Sequence, residues 1–196
     1  MARPREFQED EVLDKAMFCF WRSGYEAASI GDLEKATGIS RISLYNAFKD
    51  KEGLFLAVQA RYYEESERQV RKVTSVAKLE PFISFLKSLP ESGKQVPGPA
   101  MGCLMANTVL DVHTIGQKVL DNLKSYQKMV GDIYEDYIRR CKEAGTIKKD
   151  VVPDEAAAFI LTSLWGAMAI SRLYSDSSSI KTHIDMMIKT IETWKT

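Results

Sequence analysis

Side chains that can hydrogen-bond to nucleic acid are concentrated between residues 40 and 51 of this 196-residue sequence. A helix that begins just after Ser40 places Leu44 and Phe48 on one face, because they are four residues apart. The residues that then fall away from this buried face are Ile42, Tyr45, Asn46 and Lys49, with Arg41 at its edge. Guanidinium, amide and hydroxyl groups presented together on an exposed helix suit the major groove of duplex DNA.

Each side chain of this face suits a different part of the duplex. Arg41 can reach guanine or a phosphate, Asn46 can hydrogen-bond to adenine or to a neighbouring backbone, and Ile42 can pack on a thymine methyl group. The side chains that can donate to phosphate oxygens are those of Ser40, Tyr45 and Lys51. The amino end of a helix starting near Lys51 adds partial positive charge. The segment therefore predicts a surface that contacts both bases and phosphates.

The overall charge gives no indication of a nucleic-acid partner, because 27 lysines and arginines offset 27 acidic residues. Contact with DNA must therefore come from the local placement of cations. At 45% hydrophobic and 28% charged residues, the composition is typical of a folded globular protein. No apolar run approaches the roughly 20 residues needed to cross a bilayer, and no secretory leader begins the sequence. With three widely spaced cysteines as well, we expect a cytoplasmic protein.

Apolar residues recur with helical spacing through nearly all of the sequence, and no segment alternates convincingly as a strand does. The sequence therefore predicts an all-α fold. The first helix is expected over residues 8–23, ending at Gly24. A second begins after Ser29, with Asp32 in a capping-box-like position, turns Ile30, Leu33 and Ala36 inward, and stops near Gly38. Together with a third helix over residues 41–47, it forms a helix-turn-helix pattern.

The remaining elements are predicted from the same spacing and from prolines and glycines. A fourth helix is capped by Asp50 and extends beyond residue 70, and a fifth opens at Pro81. Residues 90–99 are expected to form a loop. Further helices are predicted over residues 119–144, 153–174 and 180–194, with a turn over 175–179. The expected organisation is a DNA-binding domain over residues 1–50, a connecting helix over 51–73 and a helical effector-binding and dimerisation domain over 74–196.

Residues 37–55 resemble the DNA-binding signature of the tetracycline-repressor (TetR) family, and residues 20–30 resemble the segment that precedes it. The residues that carry the resemblance are Gly24, Ser29, Gly38, Ser40, Leu44, Tyr45, Phe48 and Lys51. The resemblance covers about residues 3–60. It implies an N-terminal three-helix DNA-binding domain and a helical second domain that binds a small molecule and dimerises through its last two helices.

The resemblance also implies individual roles at the DNA. The implied phosphate contacts are Ser29, Ser40, Tyr45 and Lys51, and the implied base contacts are Arg41, Ile42 and Asn46. Ile42 and Asn46 stand where many family members carry other residues, so base preference does not carry over. Arg3 and Arg5 could reach the minor groove or the backbone, as basic N-terminal arms do. The implied function is a repressor that a small-molecule effector releases from double-stranded operator DNA.

The apolar segment over residues 156–174 predicts a helix covered on two faces. The second face is covered either by a partner, giving a homodimer, or within one subunit. The candidate effector pocket is lined by Phe82, Phe85, Cys103, Met105, Asn107, Tyr126, Trp165 and Met168. These side chains favour an apolar or aromatic effector, although each of them could instead be ordinary core packing.

Cys103 has two interpretations: a thiol made reactive by the amino end of a helix, or a small buried apolar residue. His113 and His183 are the only histidines, and no spacing suits a metal site, so no cofactor is expected. The alternatives to a transcription regulator are a helical enzyme that binds a small molecule, and a module that uses Ile42 to bind another protein. Since no catalytic motif is present, we do not expect an enzyme.

Overall fold

The computed structural model describes residues 8–92, 102–174 and 180–196, apart from the side chains of residues 91 and 92. Within these ranges the chain is all-α, as predicted, and its one β feature is an isolated antiparallel bridge between Ile147 and Lys195. Arg3, Arg5 and the expected turn over 175–179 lie outside the described residues.

Three helices form the N-terminal unit: α1 (Glu9–Ser23), α2 (Ile30–Thr37) and α3 (Arg41–Phe48). The predicted capping box is confirmed, because the Ser29 hydroxyl accepts from the Asp32 backbone N–H at 3.1 Å and the Asp32 carboxylate accepts from the Ser29 backbone N–H. Ser40 caps α3 by accepting from the backbone N–H of Ser43. Gly38 takes a left-handed conformation (φ 77°) and ends α2. We call this unit the head.

The head has its own apolar core, to which α1 contributes Val12, Ala16 and Phe20. The inward face of α2 differs from the prediction at one position: Ala36 is exposed and Thr37 is buried. Thr37 tolerates burial because its hydroxyl donates to the carbonyl of Leu33 at 2.6 Å.

The long helix α4 (Lys51–Val73) joins the head to the rest of the protein. Leu54, Phe55 and Val58 on its amino half belong to the head core, whereas Val70 belongs to a second core. Its N-cap is Asp50, whose carboxylate accepts from the backbone N–H of Gly53 at 2.7 Å.

Five further helices build the second unit, which we call the body: α5 (Leu79–Ser92), α6 (Leu104–Thr108), α7 (Gln117–Glu143), α8 (Pro153–Ser171) and α9 (Lys181–Glu192). A 3-10 turn, Val109–Asp111, follows α6. In this core α7 packs against α4 and α8, and α5 packs against α9. Pro153 occupies the first turn of α8, as predicted.

The expected loop over residues 90–99 is wrong at its start, because α5 continues through Pro90 to Ser92. A proline in a helix removes one backbone hydrogen bond. Pro90 lies in the last turn of α5 and its ring is buried, which offsets that loss. The remainder of the expected loop falls outside the described residues.

Gly53 in the first turn of α4 lies close to the backbone of Phe48. A β-carbon added at Gly53 would be only 1.9 Å from the Phe48 carbonyl oxygen. We expect Gly53→Ala to lower the free energy of unfolding by about 1–3 kcal/mol, because backbone must move to make room. Chemical denaturation measures this loss.

Gly31→Ala is the matched control, since Gly31 also lies in the first turn of a helix and its β-carbon would meet only the Ser29 hydroxyl oxygen, at 3.8 Å. It is expected to be neutral or stabilising, by up to about 1 kcal/mol. Equal effects of the two substitutions would contradict the steric argument.

Candidate nucleic-acid interface and adjoining cavity

The outer face of α3 is exposed as the sequence predicts. Leu44 and Phe48 are buried beneath it, whereas Ile42 is 73% exposed. Arg41, Asn46 and Lys49 are also exposed, and Tyr45 is half-buried. A large aliphatic side chain in solvent among cationic and amide groups contributes little to folding, and it is available for contact with another molecule.

Arg41 is held at both its backbone and its side chain. Its guanidinium lies 5.1 Å from the centre of the Tyr45 ring, a cation–π contact. Its backbone N–H donates to the Glu34 carboxylate at 2.5 Å, so α2 satisfies one of the free N–H groups at the start of α3. Sequence reasoning missed Glu34, because this bond depends on the angle at which α2 and α3 meet.

Lys51 links the head to the start of α4. Its ammonium group donates to the carbonyl of Glu26 at 3.0 Å and lies 4.7 Å from the centre of the Tyr25 ring. The α1–α2 connection is thereby tied to the start of α4. Since an ammonium has three donors, this bond leaves Lys51 able to contact a phosphate.

Ser29 acts as a helix cap, and its hydroxyl is also 2.5 Å from the Asp32 carboxylate. The hydrogen bonds from Ser29 lower the pKa of the Asp32 carboxyl group. Of the remaining phosphate candidates, Ser40 caps the amino end of α3 and Tyr45 lies within that helix, and the DNA-binding candidate Lys49 follows its carboxyl end. Lys49 has a left-handed backbone (φ 73°), which is strained for a residue other than glycine. The DNA contacts of all these residues stay predictions.

A cavity of about 750 Å³ lies at the boundary between the head and the body. Its wall contains residues from α1, α4, α5, α7 and α8, and those of α1 belong to the head. The members that sequence reasoning did not select include Met17, Trp21, Tyr62, Ser66, Val130, Tyr134, Leu161 and Leu164. In the sequence Trp21 follows Met17 at helical spacing, and no signal there separates it from ordinary core residues.

Five of the eight predicted pocket residues line this cavity, namely Phe85, Cys103, Tyr126, Trp165 and Met168. The other three lie elsewhere. Phe82 is fully buried against the rings of Tyr134 and Tyr137. Met105 is also fully buried, and its sulfur lies 3.8 Å from the Gln59 amide nitrogen. Asn107 is buried on α6, outside the cavity wall.

Tyrosine hydroxyls and a cysteine thiol are the uncharged ionisable groups of the cavity wall. The Tyr62 hydroxyl donates to the Cys103 sulfur at 3.3 Å. Burial raises the pKa of Tyr62, Tyr126 and Tyr134. Burial also raises the pKa of the Cys103 thiol, which favours the interpretation of Cys103 as a small buried residue over that of a reactive thiol. Cys103 precedes a helix of only five residues, whose dipole does not overcome the loss of solvation.

Four charged side chains of the cavity wall form two ion pairs near the solvent. The Arg61 guanidinium holds the Asp14 carboxylate in two hydrogen bonds, at 2.6 and 2.9 Å, and that of Asp10 at 2.9 Å. These bonds tie α4 to α1. Glu65 and Arg68 form a second pair at 2.6 Å, and both are largely exposed.

Neither a metal site nor a membrane span is found in the part of the chain that the structure describes. No three His, Cys, Asp or Glu side chains there come together as ligands would. None of the helices described is long and apolar enough to cross a bilayer.

Comparison with known proteins shows several similar regulators. The HTH-type transcriptional repressor ComR of Escherichia coli (strain K12) is 27% identical over 195 residues, which are 98% of this chain and 91% of that protein. The HTH-type transcriptional repressor AcnR of Corynebacterium efficiens is 50% identical over 48 residues, 24% of this chain.

Solved structures share the whole fold. A cysteine mutant of the TetR family regulator CifR, complexed with 26-base-pair operator DNA, superposes with a TM-score of 0.81 at 27% identity and covers 96% of this chain and 98% of its own. The regulatory protein TetR from Rhodobacter sphaeroides superposes with a TM-score of 0.83 at 17% identity, covering 92% and 96%.

Two family models together match most of the chain. The model of bacterial regulatory proteins of the tetR family matches residues 12–58, which contain most of the head. The model of the tetracyclin repressor-like C-terminal domain matches residues 76–187, more than half of the chain. The chain therefore belongs to the tetR family of bacterial regulatory proteins.

Proposed function

We propose that this protein is a homodimeric transcriptional repressor that binds operator DNA through α3 and is released from it by a small molecule. The observation that carries the proposal is the exposed face of α3, where Arg41, Ile42 and Asn46 stand on a helix fixed by Ser40 and Glu34. The family consists of regulators rather than enzymes, relatives such as ComR are named repressors, and CifR has been solved on operator DNA.

In this proposal α3 enters the major groove of the operator. Arg41 and Asn46 contact base edges, and Ile42 packs on a thymine methyl group. The groups proposed to contact the flanking phosphates are Ser29, Ser40, Tyr45, Lys49 and Lys51. In this organisation the DNA-binding domain covers residues 1–50, a connecting helix covers 51–73, and a domain over 74–196 binds the effector and the second subunit.

The outer faces of α8 and α9 support the proposed dimer. On α8 the exposed residues Ala158, Thr162 and Gly166 follow one another at four-residue intervals, so a second helix could approach closely. Large apolar side chains continue this surface, with Ile170 54% and Met186 63% exposed. Apolar surface of this kind is characteristic of an interface. A twofold dimer would read two half-sites of a palindromic operator.

Base recognition is tested by selecting bound duplexes from a random DNA pool. We expect the unmodified protein to select a palindrome. Asn46→Ala and Arg41→Ala are expected to relax the selection at particular bases, because each loses a contact worth about 1–3 kcal/mol. Gln127→Ala, which changes an exposed amide on α7, is the control and should leave the selected sequence unchanged. Selections identical to that of the unmodified protein would refute the assignment of Arg41 and Asn46.

Removing the Lys51 ammonium is expected to weaken binding to all duplexes to a similar degree. Lys51→Ala should reduce the slope of log affinity against log salt concentration by about 1, since one phosphate contact is lost. It should also lower the free energy of unfolding by about 1 kcal/mol, because the bond to the Glu26 carbonyl is lost. Titrations at several salt concentrations and chemical denaturation measure the two effects. Lys149→Ala, on the exposed α7–α8 connection, is the control, and an unchanged salt slope in Lys51→Ala would rule out the phosphate contact.

Gly166 offers a test of the dimer that spares the subunit fold, because a β-carbon there meets nothing within 4 Å. We expect Gly166→Glu to convert the dimer to a folded monomer, since it places a charge at the proposed interface. Sedimentation analysis gives the mass, and circular dichroism confirms the helix content. Lys124→Glu on the exposed side of α7 should remain dimeric. A dimeric Gly166→Glu protein would place the interface elsewhere.

A further inference from the structure

We infer that the boundary cavity binds an uncharged aromatic molecule, and that α1 of the head is itself part of this binding site through Trp21. The ligand would thus contact the DNA-binding unit directly, as well as the body. The regulatory consequence rests on the proposed function, whereas the class of ligand does not.

The distribution of charge in the wall favours an uncharged ligand. The charged residues of the wall are Asp14, Arg61, Glu64, Glu65 and Arg68. Asp14 is paired with Arg61, and Glu65 with Arg68. Glu64 is exposed, so none of the five offers a buried, unpaired charge. An ionised ligand in the cavity would lose its hydration without gaining an opposite charge.

The aromatic groups of the wall favour a planar ring. Tyr62 stands edge-on to Trp21, with their ring centres 5.3 Å apart. Tyr62 is also 6.1 Å from Tyr126, and Tyr126 stacks on Trp165 at 6.3 Å with 19° between the ring planes. These four rings run from α1 across α4 and α7 to α8. An aromatic ligand placed beside them gains offset or edge-to-face contacts in addition to apolar burial.

A small polar group in the ligand also has partners. The Tyr62 hydroxyl and the Cys103 thiol form one hydrogen-bonded pair, and the Tyr126 hydroxyl interacts with Ser66 and Cys103. This cluster contains donors and acceptors but no charge. It therefore fits a neutral hydroxyl, amine or carbonyl carried on the aromatic ligand.

The connection to the head runs through α1. Trp21 lines the cavity one turn from Met17 on the same helix, and its indole nitrogen is buried with no hydrogen-bond partner among the described residues. One residue before Trp21, Phe20 packs on Phe55 at 4.8 Å in the head core. A ring that displaces the Trp21 side chain from Tyr62 would therefore act on α1, and α1 packs directly on α2 of the helix-turn-helix.

The class of ligand is tested with two probes that share one skeleton. N-phenyl-1-naphthylamine is neutral, and 8-anilino-1-naphthalenesulfonate differs from it by a sulfonate. Both become fluorescent in apolar sites, so titration of the full chain gives both affinities. We expect the neutral probe to bind at least about tenfold more tightly than the sulfonate. The sulfonate loses its hydration in the cavity, and a cost of about 1.4 kcal/mol corresponds to this factor in affinity. Equal affinities, or tighter binding of the sulfonate, would overturn the assignment.

The location is tested by two matched substitutions. Met168→Trp adds a ring to the cavity wall and should weaken the neutral probe by about fivefold or more, because it fills part of the site. Met129→Trp, on α7 outside this cavity, should leave its affinity unchanged. If Met168→Trp unfolds, Leu89→Trp on the cavity wall replaces it. Unchanged binding in the folded cavity variant would exclude this cavity.

The role of Trp21 is tested with the duplex chosen by selection. We expect the neutral probe to weaken DNA binding by about fivefold or more, within the usual range of coupling between sites. The Trp21→Leu protein should still bind the probe, but the probe should now weaken its DNA binding by less than about twofold. Trp194→Leu is the control, since Trp194 packs on Phe159 outside the cavity and should keep the full response. A full response in Trp21→Leu, or none in the unmodified protein, would overturn the route through α1.

Failure of the proposed function would be seen separately. A protein that binds no duplex in the absence of probe is not the proposed repressor, and the two-probe comparison still decides the class of ligand. In that case hydrogen exchange of the α1 amides with and without the neutral probe replaces the DNA measurement. Unchanged exchange in α1 at saturating probe would overturn the contact with the head.

Discussion

The rest of the structure depends on α4 belonging to two apolar cores at once. Leu54 and Phe55 anchor its first turns in the head, and Val70 anchors its last turn in the body. A helix cannot bend sharply without breaking its own hydrogen bonds, so an intact α4 couples the positions of the two cores. Arg61, midway along it, adds the ion pairs with Asp10 and Asp14 that hold α1 against the same helix.

Within the head, α3 is stabilised more by hydrogen bonds at its amino end than by burial of apolar side chains. The helix has eight residues and only Leu44 and Phe48 are buried, which is little for a segment of this length. The Ser40 cap and the Glu34 carboxylate satisfy free N–H groups at its start, each contributing about 1 kcal/mol. The side chains on the outer face of α3 are therefore not needed for folding, and their types can suit a binding partner.

The cavity lies where the two cores meet, and this position gives it regulatory potential. A ligand in a cavity that lay wholly inside the body could affect the head only through structural changes in the body. Here Met17 and Trp21 come from a helix of the head, so the shape of the wall and the position of the head are linked. A ligand shifts this balance only by the difference in its affinity for the two arrangements. In the proposed coupling, the ring contact between Trp21 and Tyr62 is where the ligand would act on the head.

The sequence by itself determined the features whose causes are local. The caps at Ser29, Ser40 and Asp50 act within three residues, and the spacing of Leu44 and Phe48 determines which face of α3 is exposed. Only the tertiary structure decided which half-buried side chains face a void. It placed Trp21 in the cavity wall and Phe82, Met105 and Asn107 in the packed core, and it raised the pKa of the Cys103 thiol by burial. These outcomes depend on the angles at which helices distant in sequence cross. Helical periodicity predicts that a residue faces inward, but it does not predict whether that residue contacts other side chains or a cavity.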